Sequence, residues 1–300
     1  MKKWSLIPLS PESRLNYIDS MTPYISFCNV ASMPVRSEPS HKAEQVNQLL
    51  FGEKALITEV NNREWAKIRS VWDNYQGWCK LSQLTPGRPN ELKKDVPYIV
   101  TNNKGKFIQN EYEIALPAGA ELVNLKRGYI GTENNFGLFK GKRVKKAAME
   151  ATPERIVELA KMYFNAPYVW GGRTVAGIDC SGLTQTVFKM CNVKLPRDAS
   201  QQAEEGQLVE FLQSAKTGDL AFFDNPEGAI VHVGILLDNT RIIHAADTAG
   251  RVVIDKIDQG GIISISRKMR THNLRFVKRI LGVELAPKES QDVENQLPLL

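Results

Sequence analysis

The chain has 300 residues, of which 42% are hydrophobic, and it carries a formal net charge of +6 with a mean hydropathy of -0.29. This length predicts two or three domains in a soluble globular protein, and no apolar stretch reaches the roughly 18 residues that a membrane-spanning helix needs. The basic residues are spread along the chain without a nucleic-acid-binding motif, so we expect no nucleic-acid partner.

The four cysteines form no C-x-x-C pair, so the sequence predicts neither a metal site nor a cofactor, and nothing in it requires a disulfide. The first residues are basic, but a proline interrupts their apolar run and no small-residue cleavage site follows, which is unlike a signal peptide. We therefore expect a cytoplasmic protein as the sequence stands, or a periplasmic one if a signal peptide has been removed. The sequence does not indicate an oligomeric state.

Two series of short strands follow a weakly helical N-terminal extension, residues 1–23. In the first series, residues 24–86, alternating apolar segments are separated by turns that are typical of a small β-barrel. These turns lie at Gly52, Asn61–Asn62 and Asp73–Asn74. A linker at Pro86–Pro89 leads into a weaker second series, residues 87–148, which we predict to be a second small all-β barrel.

The pattern changes to a helix at Thr152, which can cap the exposed N–H groups of a helix that has Pro153 in its first position. Apolar residues follow at helical spacing, at Ile156, Leu159, Ala160 and Tyr163. A further helical stretch is predicted over residues 199–211, and four β segments follow it. Helices that precede antiparallel strands indicate an α+β domain over residues 149–285, and residues 286–300 are expected to form a flexible tail.

Cys180 lies directly before another helical pattern, with Asp179 in the capping position. Unpaired N–H groups and the positive end of the helix dipole favour a thiolate there, so we expect the pKa of Cys180 to fall and the residue to be a nucleophile. The alternative is that Cys180 is one more buried thiol. The side of this helix predicted to be buried comprises Leu183, Val187 and Cys191. Glycines that permit tight turns precede the cysteine, at Gly171, Gly172 and Gly177.

A nucleophilic cysteine needs a base and a third group that orients the base. Of the four histidines, His41 and His272 lie in polar segments and are expected at the surface. His232 and His244 interrupt apolar strands instead. If a turn at Asp238–Asn239 makes these strands hairpin neighbours, the two imidazoles are close enough to hydrogen-bond and would be base and orienter. The alternative is two unrelated core histidines, each with its own polar partner.

Six motifs occur in the order PYVWGG, DCSG, PRDAS, TGDLAFF, VHVGI and IIHA. Over residues 150–280 they resemble the NlpC-type cell-wall cysteine peptidases, a papain-like family. The resemblance implies an α+β papain-like peptidase domain whose catalytic triad is Cys180, His232 and His244. It further implies oxyanion or substrate-site roles for Tyr168, Asp179 and Ser181.

Members of this family with two preceding bacterial Src-homology-3-like barrels resemble enzymes that cleave γ-D-glutamyl-L-diamino acid bonds in murein tri- or tetrapeptides with a free N-terminal L-alanine. That resemblance implies that Asp198 binds the alanine ammonium together with two residues of the first barrel, Tyr75 and Glu44. A compact ammonium favours carboxylates and an aromatic ring. The residues themselves leave other interpretations open, since Glu44 fits a solvated strand and Tyr75 fits the end of a hairpin.

The resemblance therefore implies a cysteine endopeptidase of peptidoglycan turnover that acts on soluble murein peptides, and we expect it to need no cofactor. Two alternatives keep the same domains. One is an amidase or acyltransferase with the same triad, and the other is a non-catalytic protein that binds the cell wall. The sequence does not identify the diamino acid.

Overall fold

The computed structural model describes residues 24–62, 64–87, 96–132 and 135–282. The predicted N-terminal helical extension and the predicted tail lie outside these residues, as does the second half of the predicted linker. In the described part of the chain, no helix has both the length and the hydropathy to cross a membrane.

The first β segment folds into one antiparallel sheet of seven strands. These strands are Tyr24–Cys28 (β1), Ser32–Arg36 (β2), Gln45–Leu50 (β3), Lys54–Asn61 (β4), Trp65–Ser70 (β5), Gln76–Lys80 (β6) and Leu84–Pro86 (β7). Their order in the sheet is β3-β2-β6-β5-β4-β1-β7, and a 3-10 turn, Leu81–Gln83, precedes the last strand. Alternate residues of β2 and β5 face a buried core that includes Met33, Val35 and Ile68. The predicted strand segments are confirmed, and each of the two longest contains a turn that divides it into two strands.

The second β segment forms a four-stranded and a two-stranded antiparallel sheet. Its strands are Tyr98–Val100 (β8), Gly105–Gln109 (β9), Tyr112–Leu116 (β10), Tyr129–Thr132 (β11), Asn135–Lys140 (β12) and Arg143–Lys145 (β13). The larger sheet has the order β10-β9-β12-β11, and β13 pairs with β8. Phe51 of the first segment packs into the core of the second, with its ring centroid 5.0 Å from that of Phe107. The two β segments are therefore joined by apolar packing as well as by the chain between them.

The C-terminal segment begins, after a 3-10 turn at Lys146–Ala148, with helix α1, Pro153–Lys161. The predicted cap is confirmed, because the Thr152 hydroxyl accepts a hydrogen bond from the N–H of Arg155 at 3.2 Å. Two further helices are Cys180–Lys189 (α2) and Ala199–Gln202 (α3). A short hairpin precedes α2, with strands Arg173–Thr174 (β14) and Gly177–Ile178 (β15). Within the described residues, the α-helices lie only in this segment, and the chain is mostly sheet.

An antiparallel sheet of seven strands packs against these helices. Its strands are Gln207–Val209 (β16), Leu220–Asp224 (β17), Ile230–Leu236 (β18), Arg241–Ala246 (β19), Arg251–Asp258 (β20), Gly261–Ser264 (β21) and Met269–Arg279 (β22). Their order is β16-β22-β17-β18-β19-β20-β21, and 3-10 turns lie at Leu212–Ser214 and Asp247–Ala249. Helix α2 packs on β18 and β19, with Leu183 and Val187 in the same buried cluster as Val233 and Ile235. The helix that carries Cys180 is thus held against the strands that carry His232 and His244.

The helix predicted over residues 199–211 is wrong beyond its first turn. Helix α3 ends at Gln202, and residues 207–209 pair with β22 as a strand. Between them Gly206 has a φ of +72°, and a Cβ there would lie 2.4 Å from the carbonyl oxygen of Arg279. The chain passes too close to β22 for a helix to continue, and only glycine fits this backbone position.

Buried ion pairs connect the far end of α2 to both β segments. Lys189, in the last turn of α2, pairs with Glu53 and, at 3.1 Å, with Glu121. Arg173 donates to both carboxylate oxygens of Glu53, at 2.8 and 2.9 Å. We call these four residues, Glu53, Glu121, Arg173 and Lys189, the buried charge cluster. Burial opposes the ionisation of Glu53, but Arg173 and Lys189 outweigh it and lower its pKa to about 2.

Candidate active site

Cys180 is the first residue of α2, is only 5% exposed and, like the other three cysteines, is a free thiol. The predicted helix cap is confirmed, since the Asp179 carboxylate accepts a hydrogen bond from the N–H of Gly182 at 2.6 Å. The residues predicted to line the buried side of this helix, Leu183, Val187 and Cys191, are buried. The cap and the apolar side together fix the position of the thiol at the start of the helix.

The prediction that the helix start lowers the pKa of Cys180 is wrong. Burial, and then the charge of the neighbouring Asp179 carboxylate, raise this pKa to about 12. A backbone hydrogen bond with Val233 and the charge of Arg197 oppose the rise only in part. Because the capping residue is itself an anion, it counteracts the helix dipole at the position where the dipole favours a thiolate. Cys180 is therefore a neutral thiol at rest and needs a base to become a nucleophile.

His232 and His244 form the hydrogen bond predicted from their strands, with Nε2 of His232 2.8 Å from Nδ1 of His244. Strands β18 and β19 pair around the predicted turn, which places Ile235 opposite Ile243. Both imidazoles are buried, and the alternative of two unrelated core histidines is wrong. Cys180 shares a backbone hydrogen bond with Val233, the residue after His232, so the thiol lies beside the strand that carries the first imidazole.

His272 lies against this pair, and its predicted surface position is wrong. It is half-buried, and its ring stacks on that of His232 with the centroids 4.2 Å apart and the planes at 24°. Its long strand β22 pairs with both β21 and β17, and this double pairing carries the residue inward from its polar neighbours. Burial, with the nearby His244, lowers the pKa of His272 to about 4. The corresponding prediction for His41 is confirmed, because that residue is exposed.

Asp255 is a buried carboxylate behind the two histidines, and the sequence analysis missed it. Its Oδ2 lies 3.3 Å from Nε2 of His244, and its Oδ1 accepts a hydrogen bond from the N–H of Ile265 at 2.7 Å. The pattern that pointed to His232 also applies to Asp255, because it is a polar residue at an inward-facing position of an alternating strand. Ile257, two residues further along the same strand, is buried on the same face. Thiol, two imidazoles and carboxylate thus occupy one continuous region of the site.

Asp179 and Ser181 belong to a buried polar network that connects the start of α2 to the first β segment. Arg197 donates to Asp179 Oδ1 at 3.0 Å, to Ser181 Oγ at 2.8 Å and, through Nε, to Asn47 Oδ1 at 2.8 Å. The other Asp179 oxygen accepts from the N–H of Gly171 at 2.7 Å. Asn47 and Arg197 were not predicted, because their contact joins residues far apart in the chain.

Tyr75 and Asp198, predicted to lie together, are hydrogen-bonded across the boundary between the first β segment and the C-terminal segment. Burial raises the pKa of Asp198, and Arg197 and Tyr75 only partly offset this rise. Burial likewise raises the pKa of Tyr75 to about 12. The guanidinium of Arg197 bonds the Asp179 carboxylate, and the half-buried Asp198 carboxylate interacts with the Tyr75 phenol and with the backbone N–H of Gln201 in the capping box of α3.

Glu44 is exposed and contacts the C-terminal segment away from Asp198, at Trp170. Its Oε1 accepts a hydrogen bond from Trp170 Nε1 at 2.6 Å. The next residue, Gln45, donates to the Trp170 carbonyl at 2.9 Å. Gly171 has a φ of +73°, and a Cβ there would lie 2.6 Å from the carbonyl oxygen of Gln45. The first β segment is thus in direct backbone contact with the loop that leads to Cys180.

Tyr168 belongs to the same loop and lies near Cys180. The residue is half-buried, and burial and then the charges of Cys180 and Asp179 raise the pKa of its phenol. Its N–H donates to the Gly250 carbonyl at 2.8 Å, and its backbone bridges to Ile178. These backbone contacts hold Tyr168 close enough to Cys180 for the two groups to interact electrostatically, and its role as an oxyanion donor stays a prediction.

Comparison with known proteins agrees with this geometry. Residues 165–270 match the NlpC/P60 family, and residues 35–84 match the bacterial dipeptidyl-peptidase SH3 domain. A gamma-D-glutamyl-L-lysine dipeptidyl-peptidase of Bacillus subtilis is 31% identical over 225 residues, which cover 69% of this chain and 74% of that protein. Dipeptidyl-peptidase 6 of Lysinibacillus sphaericus is 26% identical over 247 residues, which cover 74% of this chain and 88% of that protein.

A similar fold occurs in the crystal structure of an NlpC/P60 family protein from Bacillus cereus, with a TM-score of 0.74 at 18% identity over 86% of this chain and 99% of that chain. The SH3 match covers most of the first β segment, and the extent of the peptidase match includes Cys180, His232 and His244. The resemblance seen in the motifs is confirmed, and the non-catalytic alternative is wrong. The chain belongs to the NlpC/P60 family and is a cysteine peptidase of that type.

Proposed function

We propose that this peptidase hydrolyses the γ-D-glutamyl-L-diamino acid bond of murein peptides that carry a free N-terminal L-alanine. The observation that carries the proposal is the Tyr75–Asp198 pair, a half-buried carboxylate hydrogen-bonded to a phenol at the boundary of the first β segment and the C-terminal segment. The name of the Bacillus subtilis relative, a gamma-D-glutamyl-L-lysine dipeptidyl-peptidase, supports the same substrate class.

In the proposed reaction, His232 takes the proton of Cys180 as the sulfur attacks the γ-carbonyl of D-glutamate. The backbone N–H of Cys180 and the Tyr168 hydroxyl stabilise the resulting oxyanion. His232 then protonates the leaving amine of the diamino acid, and the γ-glutamyl group remains on the sulfur as a thioester. Water, deprotonated by His232, hydrolyses the thioester and restores the thiol. His244 orients His232 throughout.

The alanine ammonium would complete the charge balance of Asp198. Burial raises the pKa of this carboxylate, so a bound cation that stabilises its ionised form would gain free energy there. An N-acylated alanine has no such cation, and binding it would bury the carboxylate further without a counter-charge from the substrate. Glu44 enters the proposal through the family resemblance alone, since its contact in the structure is with Trp170.

The proposal predicts that N-acetylation of the substrate amine is strongly inhibitory. With L-Ala-γ-D-Glu-diaminopimelate as reference, we expect the acetylated peptide to have a kcat/KM lower by about 10²-fold or more, because the charge-assisted contact with Asp198 is lost. Turnover is measured by mass spectrometry of the released dipeptide, with Cys180→Ala as the inactive control.

The variant Asp198→Asn tests the residue assignment. It should lower kcat/KM for the free peptide and leave the acetylated peptide almost unaffected, so that discrimination between the two is lost. Equal turnover of both peptides by the wild-type enzyme would refute recognition of the amine.

A further inference from the structure

The hydrogen bonds behind the catalytic cysteine determine where each proton resides. Asp255 has a pKa below its ordinary value: burial opposes ionisation, but hydrogen bonds from His244 and Ile265 outweigh it. It is therefore a carboxylate at neutral pH, and a carboxylate only accepts hydrogen bonds. The 3.3 Å contact with His244 Nε2 consequently requires a proton on that nitrogen.

This requirement passes from one ring to the next. With a proton on Nε2 alone, the His244 ring presents a lone pair at Nδ1. The 2.8 Å contact between this Nδ1 and Nε2 of His232 then requires that His232 donates. His232, neutral in turn, has its remaining lone pair on Nδ1, and this is the lone pair left to accept the proton of Cys180.

We propose that Asp255 is a positioning residue that sets the tautomers of both histidines and thereby makes His232 Nδ1 the base for Cys180. The inference rests on the catalytic roles proposed above for Cys180 and His232, and it adds to them a fourth residue that touches neither substrate nor thiol. The backbone N–H of Ile265 holds the carboxylate in place. A carboxylate there also stabilises the imidazolium that forms on His232 during attack, through His244.

The groups around the two rings are consistent with this assignment. Strand β22 contributes His272, which stacks on His232, and the turn after β19 contributes Asp247, which raises the pKa of His272 but does not offset its burial. Burial, with His244 and His272 nearby, lowers the pKa of His232 well below its ordinary value. His232 and His272 are therefore neutral at pH 7, as the tautomer argument requires of His232.

Exchange of Asp255 for Asn tests the inference, because an amide inverts the proton order. The amide oxygen must face the N–H of Ile265, so the NH₂ group faces His244 and donates to Nε2. The proton of His244 then moves to Nδ1, and His232 presents an N–H instead of a lone pair to the thiol. We expect kcat/KM to fall on the order of 10²-fold or more in Asp255→Asn.

Asp255→Ala leaves both tautomers of His244 accessible, and we expect a smaller loss of about 10-fold. The larger, isosteric Asn should thus be more damaging than Ala, which is the reverse of the order that a purely structural role gives. Asp258→Asn is the matched control, since Asp258 lies on the same strand but is exposed and paired with Arg270. It should retain wild-type kcat/KM.

Nitrogen NMR of the full chain labelled with ¹⁵N-histidine reports the tautomers without any substrate. The chain has only four histidines, so the four pairs of ring nitrogens can be assigned by single substitutions. We expect the His244 proton on Nε2 in the wild type and on Nδ1 in Asp255→Asn. A wild-type His244 protonated on Nδ1, or an Asp255→Asn variant with less than about threefold loss of kcat/KM, would overturn the inference. Because the NMR readout needs no substrate, it distinguishes failure of this inference from failure of the proposed substrate.

Discussion

At the scale of single residues, the proposed catalytic pair, Cys180 and His232, is uncharged at rest. Burial raises the pKa of the Cys180 thiol to about 12 and lowers that of the His232 imidazole, so both effects favour the neutral forms at pH 7. The enzyme therefore does not store a thiolate. In the proposed mechanism, proton transfer to His232 therefore accompanies the attack of sulfur on the carbonyl.

The rate at which iodoacetamide alkylates Cys180 should reflect this neutral state. Because the thiol pKa is raised, the thiolate fraction is small at pH 7 and grows about tenfold per pH unit until the pH approaches that pKa. We expect the alkylation rate to rise without a plateau between pH 6 and about pH 10. Peptide mass spectrometry of timed samples localises the label to Cys180 among the four cysteines, and a plateau between pH 6 and pH 8 would contradict the neutral pair.

The sequence was sufficient to pair His232 with His244, because the two strands are neighbours in the chain and the alternation of apolar residues shows which face each ring occupies. His272 was not predictable in this way. Its position depends on β22 pairing with two strands at once, and the adjacent polar residues carry no signal of that pairing. The pKa of Cys180 was misjudged because the helix start was considered without the depth of burial.

At the scale of elements, helix α2 is held at both of its ends by charges from other parts of the chain. At its start Arg197 pairs with Asp179, and at its end Lys189 pairs with Glu53. Apolar packing against β18 and β19 restrains the middle of the helix. The thiol is thus positioned by contacts that are distributed over the whole helix.

Substitution of Glu53 by Gln should destabilise the fold strongly at neutral pH. It leaves Arg173 and Lys189 without their full counter-charge in a buried place, and we expect a loss of roughly 3 kcal/mol in the free energy of unfolding. Urea denaturation measures this difference. The matched control is Glu64→Gln, at an exposed carboxylate paired with Lys80, which should leave the urea midpoint almost unchanged.

The same difference should depend on pH in a defined direction. The pKa of Glu53 is lowered in the fold from an ordinary value of 4.5 to about 2, so its stabilising effect is complete above about pH 5 and is lost as the pH falls toward 2. The difference in the free energy of unfolding between the wild type and Glu53→Gln should therefore become smaller between pH 5 and pH 2. If this difference in free energy stays constant from pH 5 to pH 2.5, the charge on Glu53 is not stabilising.

Most strands were predictable because each follows local alternation between glycine, asparagine and aspartate turns. The stretch over residues 199–211 was not, since its apolar spacing also fits a helix. What decides it is the close approach of Gly206 to Arg279, a contact with a strand at the other end of the segment.

At the scale of the whole molecule, the first β segment and the peptidase segment form one hydrogen-bonded unit. Side chains of the first β segment accept hydrogen bonds from residues around the cysteine. Gln48 Oε1 accepts from the N–H of Arg173 at 2.9 Å, and Asp73 Oδ2 accepts from the side-chain amide of Gln185 at 2.8 Å. Such contacts join residues more than a hundred positions apart, so no local pattern predicts them. The SH3 match confirms the character of the first segment, and the second barrel and the domain boundaries stay predictions.

These contacts predict that the two segments unfold together. Three of the five tryptophans, Trp65, Trp72 and Trp78, lie in the first β segment, so tryptophan fluorescence reports mainly on that segment. Peptidase activity reports on the other. On heating, we expect fluorescence and residual activity to change at the same temperature, because the buried charge cluster and the Asn47–Arg197 bond must break at once. Activity that survives the fluorescence transition would show independent segments.

Gly171 leaves no space for a side chain between the catalytic loop and the backbone of Gln45. At that separation the first sheet cannot swing away from the loop without breaking several buried bonds in one step. Substrate capture should then need no gating motion of this sheet, and a peptide should reach the site by diffusion alone. Stopped-flow traces of binding to Cys180→Ala should accordingly be single-exponential, with an observed rate that increases linearly with peptide concentration.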